Sequence, residues 1–155
     1  MSDSITDVAL EMSSSSMGEQ SRKLDELRAR SVGLLGAGSV AVAFLGAQAL
    51  RSGRFPYISV LAIAGFFAFA WKILSILKPI EGWKFRLSGQ IVVGYWQGKS
   101  FDEAKASLIK RYEGNWQHNE TLMKDLYEKF GTAARLLILD IAFWLLALVE
   151  VNLLG

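Results

Sequence analysis

Three long apolar runs interrupt an otherwise polar chain, at residues 31–50, 58–77 and 136–154. Each spans about twenty residues, the length that crosses a roughly 30 Å hydrocarbon core at 1.5 Å per residue. The first run carries no charge, and the second carries only Lys72 near its end, beside Trp71. A long lysine stem snorkels to the interface from that depth, and tryptophan anchors there. Between the two runs stands "RSGRFPY", in which Gly53 and Pro56 impose a turn. The pattern predicts a transmembrane helical hairpin. The third run contains Asp140 and Glu150 among thirteen Leu, Ile, Val and Phe residues. Those apolar residues contribute roughly −4 to −8 kcal/mol on the insertion scale, close to the combined cost of two off-centre acids. A third span that leans on its neighbours is the expectation.

The polar stretches divide the rest. Residues 1–18 end in four serines and a glycine and read as a disordered tail, with Met17 as an alternative start. They are not a signal peptide, because no basic region precedes a short apolar core. Residues 19–30 place Leu24 and Leu27 on one helical face and run into the first apolar block without a breaker. After Pro79, Trp83, Phe85, Tyr95 and Trp96 alternate with Lys84 and Arg86, which suits a segment at a membrane surface. Ser100 and Glu103 stand at capping-box spacing and open a long helix.

Along that helix Phe101, Ala104, Leu108, Tyr112, Trp116, Asn119, Met123, Leu126 and Phe130 recur at steps of three or four. The stripe is one-sided, with Glu120 and Lys124, and Asp125 and Lys129, paired on the opposite face. It serves either as packing within the chain or as a seam between copies, where Asn119 would set register. The expected fold is therefore all-α. A tail (1–18) precedes a lead-in helix and hairpin (19–78), a cytosolic helical segment (79–133) and a C-terminal transmembrane helix (134–155).

Composition narrows the chemistry. The net charge of +2 leaves no basic stripe for nucleic acid. Cysteine is absent, which removes disulfides and thiolate sites, and His118 alone cannot build a multi-histidine metal site. Its plain reading is a partly solvated helix residue, and the alternative is a pH-sensing role. Asp102, Glu103 and Glu113 sit on a solvated face without a nucleophile beside them, so no enzyme, cofactor or metal is expected.

One stretch invites another reading. Gly36, Gly38 and Ala41 have the spacing of a dinucleotide-binding loop. Such a loop needs an acid about twenty residues on and an alternating strand–helix unit. No acidic residue occurs between Glu26 and Glu81, and another apolar block follows instead. The small residues make better sense as helix packing: Gly33, Ala37 and Ala41, and Ser39, Ala43 and Ala47, recur every four residues, with Ala64 and Ala68 on the second span.

Topology follows from the flanking cations. Arg22, Lys23, Arg28 and Arg30 precede the first span, while Lys78, Lys84, Arg86, Lys99, Lys124, Lys129 and Arg135 lie between the second and third. Only Arg51 and Arg54 occupy the hairpin turn. The N-terminus and residues 79–133 are expected in the cytoplasm, on the inner membrane of a bacterial cell. Intramembrane acids are functional candidates, so Asp140 and Glu150 stand out, with Arg135 as the nearest cation, poorly spaced to pair along the helix.

The charged lead-in "KLDELRARSVGLL", the small-residue span, the tight hairpin and the cytosolic helix together resemble the small membrane effectors of nucleotide-signalling phage defence, the SLATT and Pycsar transmembrane effector group. The resemblance implies assembly on an infection signal and loss of membrane integrity. No nucleotide-sensing domain is recognisable beside it. The expected function is a self-associating membrane protein, acting as a membrane-disrupting or pore-forming effector. The alternative is a non-catalytic accessory subunit that binds a partner membrane protein through the same faces. The bilayer and further copies of the chain are the expected partners.

Overall fold

The computed structural model describes residues 5–51, 57–79, 81–85, 90, 93–94 and 97–154. Three long helices carry the chain: α1 (Ile5–Leu50), α2 (Tyr57–Leu77) and α3 (Phe101–Leu154). No strand occurs among the described residues, and all three helices are long and apolar enough to cross a membrane. The all-α architecture is as the apolar runs predict. The turn expected around Gly53 and Pro56 lies outside the described residues, as do Arg86, Tyr95 and Trp96.

The helices are longer than the segments read from the pattern. Residues 5–18, expected as a disordered tail, form the first turns of α1. The serines do not break it, because Ser13, Ser14 and Ser16 donate their hydroxyls to the carbonyls of Ala9, Glu11 and Met12. Partners far along the chain hold it as well. Asp7 pairs with Lys105, and the Gln20 amide donates to the Trp116 carbonyl at 3.2 Å. No break in the helix marks the boundary expected near residue 133: α3 is continuous from the amphipathic stretch into the apolar one. Proline ends α2, with Pro79 two residues after Leu77. The capping box starts α3: the Ser100 amide donates to Glu103 Oε2 at 2.9 Å, and the Glu103 amide returns to Ser100 Oγ at 3.4 Å.

Burial follows one rule. On α2 the buried positions are Ser59, Ala62, Phe69, Ile73 and Ile76. On α3 they include Ala104, Leu108, Asn115, Asn119, Met123, Leu126, Ala133, Leu137, Asp140, Trp144 and Ala147. Steps of three, four or seven separate them, the 3.5-residue repeat that keeps one helix face on its neighbours.

The chain forms two compact units. The first combines Met1–Glu26 with Ile80–Asp125. Here Met17 and Leu24 of α1 are buried, as are Leu108 and Met123 of α3. Polar ties add specificity. Asn119 accepts from the Lys84 amide at 3.1 Å and donates to the Lys84 carbonyl at 3.4 Å. His118 donates to the Gly82 carbonyl at 3.1 Å, where a φ of 104° requires glycine. The rings of Trp83 and Phe85 stack at 5.1 Å.

The second unit combines Leu27–Pro79 with Leu126–Gly155. Its contacts rest on glycines. A Cβ at Gly38 would lie 2.9 Å from Leu137 Cδ1 and 3.1 Å from Phe69 Cε1, and one at Gly46 would lie 3.2 Å from the Trp144 ring. Ala49, Ala62, Trp144 and Ala147 form a buried cluster beside it.

Two outcomes follow from this packing. Gly38→Leu should lower stability by about 1–3 kcal/mol through overpacking, whereas Gly36→Leu, with nothing within 4 Å of its Cβ position, should leave the unfolding midpoint in detergent nearly unchanged. Hydrogen bonds from Ser100 hold the Glu103 carboxyl below the usual carboxylate range. A lowered carboxylate favours the fold above its ordinary range, and that contribution is lost as pH falls through the lowered value. Amide exchange in the first turn of α3 should therefore quicken at acid pH, and Glu103→Gln should abolish that dependence.

Candidate functional site

Three buried residues of the second unit hold unpartnered polar side-chain atoms where the helices are apolar. Asp140 has no exposed surface, and neither of its carboxylate oxygens has a hydrogen-bond partner. Trp144, one turn further along α3, is likewise buried with its Nε1 unpartnered, and Ser59 of α2 leaves its Oγ unpartnered. Gly65 of α2 packs against the acid. A Cβ there would lie 3.5 Å from Asp140 Oδ1, so the α2 backbone closes directly over the carboxyl.

The local sequence explains the placement. Asp140 falls on the 3.5-residue repeat between Leu137 and Trp144, so the turn that buries those side chains buries the acid with them. An acid at the centre of a membrane helix costs about 2.5–3.5 kcal/mol on the insertion scale, and an off-centre one such as Asp140 somewhat less. An intramembrane acid is a functional candidate. The chemistry open to it is to accept hydrogen bonds, or to hold a proton or cation, once a polar partner reaches it. Among the described residues no group of three or more His, Asp or Glu side chains is arranged to hold a metal.

The other predicted residues fall in different places. Arg135 is exposed, and no ion pair joins it to Asp140. Glu150 is half-buried, with Oε2 enclosed and unpartnered. Of the small-residue rows, Gly33, Ala37, Ala43, Ala47, Ala64 and Ala68 are exposed, while Ala41 and Ser39 are half-buried. The close helix contacts within the chain fall instead on Gly38, Gly46 and Gly65. Extending the Leu24, Leu27, Ser31 stripe by one heptad reaches Gly38, so the signal was present in the seam repeat rather than in the four-residue rows.

The amphipathic stripe of α3 is largely internal. Leu108, Asn119, Met123 and Leu126 are buried, Tyr112 and Phe130 half-buried, and Trp116 is exposed at 38%. Asn119 binds the backbone of Lys84, so its amide is already engaged within the chain.

The chain matches no protein-family model, and no curated protein or solved structure matches it.

An unpartnered buried carboxyl destabilises whatever fold contains it. Asp140→Val removes both unsatisfied oxygens at similar volume and should raise stability by about 1–3 kcal/mol. Equilibrium unfolding in mild detergent reads the change, and a loss of stability would show that the carboxyl has a stabilising partner.

Proposed function

We propose that this chain is a small bacterial inner-membrane protein that self-associates through its spans, and that assembly disrupts the membrane. The observation that carries the reading is the uncovered small-residue surface. Gly33, Ala37, Ala43 and Ala47 of α1, and Ala64 and Ala68 of α2, are exposed in the single chain although they lie in apolar spans. In lipid, helices associate where small side chains let backbones approach, because burying leucine gains nothing over contact with acyl chains. Close helix contacts inside the chain use other glycines, so this surface remains open to a second copy.

The proposed topology has the N-terminus and residues 79–133 in the cytoplasm. The Asp7–Lys105 pair and the Gln20–Trp116 hydrogen bond support it, because segments in contact share one side of a membrane. The distribution of Lys and Arg supports the same orientation. Asp140 supports a disruptive role: an enclosed acid becomes a polar lining if assembly moves α2 away from it. The resemblance to phage-defence effectors points the same way.

Mass measurement in lipid nanodiscs tests the reading. The native chain should form one defined multimer, and expression should depolarise the cell membrane. Gly33→Leu with Ala37→Leu should return the protein to a monomer and preserve the membrane potential. A Cβ at Gly33 meets nothing within 4 Å, so the variant keeps its internal packing. A monomeric native chain, or an unchanged potential, would overturn the proposal.

A further inference from the structure

The first unit holds a cleft of about 470 Å³ lined by Lys84, Ser107, Lys110, Arg111, Gly114 and Asn115. We propose that this cleft binds a phosphate-bearing anion.

The charge on its walls is of one sign. No ion pair engages Lys84, Lys110 or Arg111 among the described residues. None of these lining residues is acidic, and two acids of the same unit are already engaged. Glu103 accepts from the amide and hydroxyl of Ser100, and Asp7 pairs with Lys105. A further cation, Lys99, reaches Ser107 Oγ at 3.2 Å.

The fold works to bring these charges together. Lys110 and Arg111 are consecutive on α3, but Lys84 comes from the segment after α2. The buried amide of Asn119 clamps its backbone on both sides, as donor and acceptor. Gathering like charges is unfavourable unless an anion joins them.

The donor set suits phosphate in particular. A guanidinium presents a planar fork to two oxygens, and lysines add point charges around it. Asn115 contributes an amide from a largely buried position. Gly114 leaves the floor open: a Cβ there would meet nothing within 4 Å, so packing does not call for glycine at this point of the helix. The volume is that of a small-molecule site and has room for a body attached to the phosphate.

The shared chemistry has two sources, a soluble phosphate compound and an anionic lipid headgroup, and the experiment separates them. Full-length protein in phosphatidylcholine nanodiscs is titrated with inorganic pyrophosphate by calorimetry, against chloride at equal ionic strength. The same protein is then melted in nanodiscs with and without phosphatidylglycerol. Saturable pyrophosphate binding assigns a soluble ligand. A rise in melting temperature confined to phosphatidylglycerol assigns the headgroup.

In either case Arg111→Gln and Lys84→Gln should weaken the response about tenfold or more, as the loss of a charge-assisted hydrogen bond predicts. Lys124→Gln, outside the cleft, should leave it unchanged. Gly114→Leu, which fills the floor without touching a charge, should also weaken it while helicity is retained. This variant keeps the test decisive if a charge substitution unfolds the protein. The proposal is overturned if the native protein responds to neither phosphate source. It is equally overturned if folded Arg111→Gln, Lys84→Gln and Gly114→Leu all respond as the native chain does.

Discussion

Hydrocarbon gives apolar helices no reason to prefer one another over lipid, and the three-helix arrangement of the second unit depends on how that indifference is overcome. Association there rests on dispersion between closely approaching backbones. Glycine provides the approach at three points: Gly38 under Leu137 and Phe69, Gly46 under the Trp144 ring, and Gly65 over Asp140. Each glycine weakens its helix in isolation, yet Gly38 and Gly46 face large side chains that fill the space, and Gly65 faces the Asp140 carboxyl. Small on one helix meets large on the next, which is how a seam packs tightly without voids.

The same seam carries the acid. Asp140 occupies a core position of the repeat, with the backbone of α2 closing over it. The site and the packing are thus one feature, and any motion that exposes the carboxyl must separate the helices that Gly65 brings together. Polar interactions in the first unit have a different role. Asp7 with Lys105, Gln20 with Trp116 and Asn119 with Lys84 join residues far apart in sequence and specify which faces meet. Asn119 also determines where a charged side chain emerges, because it clamps the backbone of Lys84 beside Lys110 and Arg111.

Much of this architecture was legible in the chain itself. Run length and hydropathy are local quantities, so three spanning helices, their order and the single-sided stripe from Leu108 to Phe130 could be read directly. The capping box at Ser100 and Glu103 could be read for the same reason, since its partners are three residues apart. Residues 5–18 could not. Their serines favour disorder on composition, and the contacts that order them come from α3, about a hundred positions away. Nor could the four-residue rows of small residues reveal their use. Gly33 and Gly38 both sit in a small-residue context, and the heptad that runs from Leu24 and Ser31, not the four-residue row, singles out Gly38 as the covered one.

The sequence by itself determined three helices, the lengths of their apolar stretches, and the presence of acids within the last of them, because hydrophobic periodicity and helix rise act within one segment. The tertiary structure alone decided that Asp140 is enclosed without a partner, that Gly65 closes over it, and that Lys84 joins Lys110 and Arg111 in one cleft. These are pairings between segments, and pairing depends on the rotation and register of whole helices, which no local pattern encodes.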